Sequence, residues 1–277
     1  MSHCIPVALT IAGSDCSAGA GIQADLKTFQ HFQVHGLTAI TCVVAETAHV
    51  VQTIHPIPVA IVCDQIRLLI DAFPIAAVKT GMLFSAAHVK AVAGILHAHR
   101  SLQLVVDPVM MASTGDELLE SDALAAYCDD LLPLARVITP NLPEAEVLLG
   151  ERIADVPALV SAAHRLSEQF GTAVLVKGGH LSGPECLDVL VERGNLYRFT
   201  AERIAVVGSH GTGCTLSAAM TAALAHGASL PQAVEQAKHF LGQALRQSFV
   251  FPSPGGGTVP ALNQGTHLEI PLSKNDA

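Results

Sequence analysis

The stretch Ser209-His210-Gly211-Thr212-Gly213-Cys214-Thr215 combines residue types that phosphoryl transfer needs. Gly211 and Gly213 can adopt backbone angles closed to other residues. The small-residue run Leu216 to His226 that follows reads as a helix, so successive N–H groups can converge on one point at its positive end. Such a turn holds an anion. Cys214 falls where the anion would meet a reacting group, and a helix N-terminus is expected to lower its thiol pKa toward the thiolate. Taken alone, the stretch is also compatible with a tight helix entry that carries an inert cysteine.

Three further residues change that balance. Lys177 ends the apolar run Ala173-Val-Leu-Val and is followed by two glycines, so a cation stands at a strand end where a ligand can approach the backbone. A lysine snorkelling to the surface is the alternative. Asp107 and Glu144 follow neighbouring apolar runs, where a carboxylate is costly unless a cation compensates it. Magnesium takes few carboxylates alongside phosphate oxygens and water, which suits so sparse a pair. Asp107 capping a turn and Glu144 favouring an early helical turn are the structural alternatives. Gly19-Ala-Gly21 lacks the full dinucleotide fingerprint, and no Walker lysine motif is present, so a nucleotide would be held differently.

These residues need elements to position them. Pro6–Ile11, Thr38–Val44, Ala76–Lys79, Leu102–Asp107, Val137–Thr139 and Ala173–Lys177 read as buried strands. Ala20–Phe32, Val59–Phe73, Ala86–His99, Ser121–Leu132, Val156–Gln169, Leu216–His226 and Pro231–Gln247 read as helices. Strands that are apolar throughout predict a mostly parallel sheet covered on both faces, with ligands beyond the carboxyl ends of its strands. Cys186–Val191 and Leu196–Thr200 alternate and predict a small β-hairpin. Phe251 to Gly257 is expected to be irregular, and Ser273 to Ala277 a frayed tail.

The 277 residues, half of them hydrophobic, predict one domain over 1–277, with a Pro/Gly-rich segment at 253–277. No apolar run reaches the roughly 18 residues of a membrane span, and no secretory signal opens the chain, so a cytoplasmic protein without a membrane partner is expected. Seven scattered cysteines support neither disulfides nor a zinc knuckle. A net charge of -9 with 15 unclustered Lys and Arg disfavours nucleic acid. The 14 histidines show no metal spacing, and none is given a ligand role.

The motifs Ile11-Ala-Gly-Ser-Asp15, Gly19 to Thr28, Lys79-Thr-Gly-Met82, Asp107-Pro-Val-Met110, Thr139-Pro-Asn-Leu-Pro-Glu144, Lys177-Gly-Gly-His180 and His210 to Ser217 span most of the chain. Over residues 5 to 248 it resembles the hydroxymethylpyrimidine/phosphomethylpyrimidine kinases of thiamine synthesis, in the ribokinase-like superfamily that includes pyridoxal kinases. The resemblance implies a three-layer α/β/α sandwich with a mostly parallel sheet, and the short path from Val44 to Val59 leaves no room for a large lid. It implies ATP across the carboxyl edge, with its phosphates on Gly211, Thr212, Gly213 and Cys214. Cys214 would be the base, Lys177 the phosphate partner, Asn141 and Glu144 part of the Mg-nucleotide site, and Asp107 near the metal. Gly13, Asp25, Met82 and Val109 would surround the heterocycle, in a homodimer acting on a small-molecule alcohol.

The chain departs from that family in one telling place. Glu46-Thr47-Ala48 stands where the family has glutamine followed by Asn-Thr, and that glutamine reads the pyrimidine edge. A carboxylate only accepts, whereas an aminopyrimidine edge offers a donor beside an acceptor. Glu46 could be protonated, could face a ring with two donors, or could point to solvent. Cys16 and Ala18 also replace commoner residues and are expected to be tolerated. The reading is a kinase of the hydroxymethylpyrimidine and its monophosphate, with pyridoxal or pyridoxine kinase as the alternative and an idle pyrimidine sensor as a third.

Overall fold

The computed structural model describes residues 5–110, 122–205 and 208–265. In chain order its elements are β1 (Val7–Asp15), α1 (Gly21–His31), β2 (His35–Thr47), β3 (Val50–Pro56), α2 (Val59–Ala72), β4 (Ile75–Thr80), α3 (Ala86–His97) and β5 (Gln103–Val106). Then come α4 (Ala123–Ala126), which runs on through a π-helical turn (Tyr127–Leu131) and a 3-10 turn (Leu132–Leu134), β6 (Val137–Ile138), α5 (Leu142–Leu149), α6 (Val156–Phe170) and β7 (Ala173–Lys177). The chain closes with β8 (Glu185–Glu192), β9 (Asn195–Glu202), α7 (Thr212–Ala225), α8 (Leu230–Arg246), β10 (Phe249–Pro252) and β11 (Thr258–Ala261).

Nine strands form one sheet in the order β3-β2-β1-β4-β5-β6-β7-β8-β9. The six from β2 to β7 are parallel, and antiparallel strands finish both edges. Side chains alternate between faces along a strand. Val78, Val106, Ile138, Val174 and Val176 therefore bury against α2, α3, α5 and α6. Ala77, Val105, Val137, Ala173 and Leu175 face the other way, against α7 and α8. Ala8 meets Phe29 of α1 and Ala218 and Ala222 of α7. The expected three-layer sandwich is thus present, with α1, α7 and α8 as one outer layer.

The same period of two sets the chemistry. Thr10 lies two residues beyond Ala8, Lys79 two beyond Ala77, Asp107 two beyond Val105, Thr139 two beyond Val137 and Lys177 two beyond Leu175. Each polar side chain therefore stands on the α1/α7 face, with Lys79, Asp107, Thr139 and Lys177 at the carboxyl ends of their strands and Thr10 level with Lys79 in the middle of β1. The β1, β5, β6 and β7 motifs share that edge.

Some elements differ from expectation. β3 is an additional edge strand, half-exposed and paired antiparallel with β2. The helix expected over Ser121–Leu132 begins at residue 121, outside the described residues; within them it is α-helical over Ala123–Ala126, widens over Tyr127–Leu131 and tightens over Leu132–Leu134. The tail at Ser273–Ala277 also lies outside them. Phe251 and Pro252 are not irregular: β10 pairs with β11, and Gly256 and Gly257, at φ 94° and 79°, turn the chain between them. Ala18 sits at φ 61°, a left-handed angle suited to glycine, so an alanine there costs about 1 kcal/mol.

Candidate active site

Two loops build the centre of the site. At the end of β1, the Asp15 carboxylate gathers the N–H groups of Ser17 (2.7 Å), Gly19 (3.0 Å) and Ala20 (2.7 Å), which shapes the entry to α1. His210 Nε2 also lies 3.0 Å from Asp15 Oδ2, tying this loop to the turn before α7. Burial raises the Asp15 pKa, but His210 and the donors on Ser17 and Ala20 outweigh it and hold the group at about 2. Asp15 in turn pushes His210 above its ordinary value against the effect of burial. Asp15, Glu46 and His210 bring one ligand atom each within 4.8 Å of one another. The histidine spacing gave no hint of this contact, because it forms across 195 residues.

Gly211 caps α7 at φ 81°, and a Cβ there would be driven into the carbonyl oxygen of Gly19. Gly211→Ala should therefore destabilise the fold by about 2–4 kcal/mol in urea unfolding, through strain plus overpacking. Gly227, at φ 84° with nothing within 4 Å of its Cβ position, is the control. Its alanine variant should lose only about 1 kcal/mol. Equal losses would show that the packing of the two loops contributes nothing.

Gly213 serves a different purpose from the one expected. Its φ is not positive; it borders the two charged groups, since a Cβ there would stand at contact distance, 3.4 Å from Lys177 Nζ and 3.6 Å from Asp107 Oδ2. The first-turn amides of α7 lie beside this opening, where a helix supplies no acceptors of its own. Thr212 uses its hydroxyl to hold the turn, donating to Ser209 O at 2.9 Å.

Lys177 Nζ donates to Asp107 Oδ1 at 2.9 Å, and Thr139 and Ser217 donate to the same carboxylate. Burial alone would raise Asp107; Lys177 and Lys79 overcome it and hold it below its ordinary value. Lys177 is raised, because Asp107 and Glu144 outweigh its own desolvation. Asn141 and Glu144 form a capping box on α5: Asn141 Oδ1 accepts from Glu144 N at 2.9 Å, and Glu144 Oε2 accepts from Asn141 N at 2.8 Å. The capping role weighed as the alternative for Glu144 is therefore present. Burial also pushes its carboxyl up to about 7.

Two expectations are corrected. The helix N-terminus does not leave Cys214 with a low pKa: burial pushes the thiol up to about 11, against the pull of Lys79 and an N–H from Gly21. Asp25 does not open onto the space around a heterocycle either. It is fully buried, accepting from Lys79 Nζ (2.9 Å) and Thr10 Oγ1 (2.6 Å). Gly13, Met82 and Val109 do share an apolar wall with Cys42 and Val44; Cys42 Sγ lies 3.8 Å from Met82 Sδ. Glu46 continues this face of β2 two residues beyond Val44 and is half-buried. The extra residue of the β2–β3 bulge, Gln52, is on β3, so the alternation from Cys42 through Val44 to Glu46 is kept. Burial and Asp15 push Glu46 up to about 7, with His210 opposing them.

A sequence model of the family described as phosphomethylpyrimidine kinase matches residues 15–259. The chain is 44% identical over 240 residues to the hydroxymethylpyrimidine/phosphomethylpyrimidine kinase of Rhizobium meliloti, covering 86% of this chain and 90% of that protein. It is 42% identical to the thiamine biosynthesis bifunctional protein ThiED of Geobacter sulfurreducens, and there it spans about half (49%) of the longer protein. Its fold is similar to that of the pyridoxal kinase from Staphylococcus aureus in complex with AMP-PCP and pyridoxal. The TM-score is 0.85 at 33% identity, over 96% of both chains.

Proposed function

The chain belongs to the phosphomethylpyrimidine kinase family, and from that premise we propose that it phosphorylates the hydroxymethyl group of 4-amino-5-hydroxymethyl-2-methylpyrimidine, and then the monophosphate to the diphosphate, in thiamine biosynthesis. The observation that carries the reading is the meeting of Cys214, Gly213, Lys177 and Asp107 at one sheet edge, beside the apolar wall of Gly13, Cys42, Met82 and Val109.

In this reading the ring lies on the apolar wall with its hydroxymethyl arm toward Cys214. The Cys214 sulfur takes the proton of the alcohol as its oxygen attacks phosphorus. The first-turn amides of α7 and the Lys177 ammonium hold the negative charge that builds on the transferring group. ATP supplies the activated phosphoryl group, and magnesium neutralises its oxygens. The donor set suits that ion: Asp107 is ionised beside the cradle, but its oxygens already accept from Lys177, Thr139 and Ser217, while Glu144 accepts from the Asn141 amide. Both carboxylates would then address magnesium through its water. Asn141 bridges to Lys177 on β7 and would border the nucleotide.

The protein would act as one kinase domain over 1–277, as a cytoplasmic homodimer on a small alcohol, with neither nucleic acid nor membrane as partner. No described helix is long and apolar enough to cross a membrane. ADP release measured with the hydroxymethylpyrimidine, its monophosphate, pyridoxal and pyridoxine tests the substrate. Turnover of the pyrimidine alcohol above the pyridines is the expected result; the reverse order would make it a pyridoxal kinase, a reading that Glu46 keeps open.

Glu46 gives a pH test of ring recognition. Its carboxyl changes charge near pH 7, so a protonated Glu46 that donates to the ring nitrogen is lost as the pH rises. Binding of the neutral pyrimidine should weaken from mildly acidic to mildly basic pH. Glu46→Gln should bind at least as well and show a flat profile, measured as Kd by calorimetry. Identical profiles in both proteins would remove Glu46 from the ring site.

A further inference from the structure

Two buried lysines face α7 from the strand ends, and the structure sets them in different surroundings. Lys177 keeps 14% of its side chain exposed and borders the opening left by Gly213. Lys79 has no exposed side-chain surface at all. It cannot meet a phosphate without rearrangement, and it donates to Asp25, itself sealed from solvent. A buried ion pair is poor evidence of stabilisation, because an apolar pair of similar volume commonly serves as well. The position of the pair suggests another use.

Gly21 and Asp25 lie one turn apart on the same face of α1. The Gly21 N–H donates to the Cys214 sulfur, and Asp25, which holds Lys79, stands one turn further along that face of α1. On β4, Lys79 shares the side of Ala77, which packs on α7. Both hydrogen bonds to Asp25 fall on Oδ2, and its buried Oδ1 has no partner. Asp25 therefore tethers the Lys79 ammonium by one oxygen. The groups that face Cys214 are Lys79 and Lys177, which favour the thiolate, and Asp25 and Asp107, which oppose it. Lys79 is the largest influence against the burial of the thiol.

The geometry points to Lys79 as a positioning residue of the transfer reaction, a fixed buried cation that stabilises the Cys214 thiolate while Lys177 serves the phosphate. This rests on the reading of Cys214 as the base. The thiol proton leaves to solvent before the alcohol is bound. The alcohol proton then returns to sulfur as the new O–P bond forms and the bond from phosphorus to the leaving oxygen breaks, so sulfur ends each turnover as a thiol.

The test is the rate at which iodoacetamide alkylates Cys214 at pH 8 in the full-length protein without nucleotide, read by peptide mass spectrometry. That rate follows the thiolate fraction, tenfold for each unit of pKa. Lys79→Met should slow it by about tenfold or more and lower kcat by a similar factor, with the KM for ATP within about twofold. Asp25→Asn should speed it. Where Lys79→Met fails to fold, the double variant Lys79→Met/Asp25→Asn, which removes both charges, should alkylate about tenfold more slowly than Asp25→Asn alone. Equal alkylation with and without the Lys79 charge overturns the assignment, even if kcat has fallen. Retained turnover in Cys214→Ala would instead overturn the reading of the base.

Discussion

Cys214→Ala is expected to lower kcat by about 10²–10⁴-fold, the usual contribution of a general base, while Mg-ATP still binds within a few-fold of the parent protein. The two halves of that result have separate physical origins. The anion cradle consists of backbone: the turn at Gly211, the first-turn amides of α7 and the opening at Gly213 remain when the sulfur is removed. Only the proton acceptor is lost. With its pKa raised to about 11 by burial, the thiol is mostly protonated at neutral pH. Its thiolate fraction, and with it kcat/KM of the parent protein, should climb as the pH rises from 7 to 9. The alanine variant should show no such climb. Stopped-flow measurement of product formation across that range, together with nucleotide titration by calorimetry, checks both halves. Near-parental turnover in the variant would exclude Cys214 as the base, and lost nucleotide binding would place the residue in the cradle instead.

Much of the site could be read from the sequence because strand periodicity is a strict rule. Once the β4 to β7 runs are recognised as buried and parallel, the polar residue that ends each of them has to stand at one edge. Lys79 ends the run Ile75-Ala-Ala-Val just as Lys177 ends Ala173-Val-Leu-Val, yet only the structure shows that Lys177 is reachable and Lys79 sealed. Asp25 was misplaced for the same reason: a helical position fixes a face, but not how deep that face lies. The pKa of Cys214 went the other way from expectation because a helix end acts over one turn and sulfur loses more from desolvation than it gains there. The contact of His210 with Asp15 and Glu46 joins three distant segments and has no local signal. The β10–β11 hairpin was hidden by its own turn: the Pro-Gly-rich stretch reads as a break, although glycines at positive φ are what a tight reversal requires.

The second large effect is expected at Lys177, where a structural loss and a catalytic loss must be separated. Removing this ammonium takes away the charge beside the cradle and also leaves Asp107 buried with a missing partner. Breaking a buried pair in this way costs about 3–5 kcal/mol, whereas losing one electrostatic contact to developing charge costs about 10²–10³ in kcat. Lys177→Met should therefore show both a lower urea midpoint and a slower chemical step, with affinity for the heterocycle nearly unchanged, because the proposed function puts the ring on the wall formed by Met82 and Val109. The double variant Lys177→Met/Asp107→Asn distinguishes the two losses. It removes the unpaired carboxylate; Thr139 can still donate to the amide oxygen at the Oδ1 position and the Ser217 hydroxyl can accept from the NH2 at the Oδ2 position, so stability should return to within about 1 kcal/mol of the parent. Turnover should stay low, since no cation has been restored to the phosphate and residue 107 no longer offers a carboxylate to magnesium. Single-turnover rates under folding-competent conditions, set beside unfolding curves for both variants, give the comparison. If turnover recovers together with stability, Lys177 acts only by pairing Asp107, and the phosphate depends on the α7 amides alone.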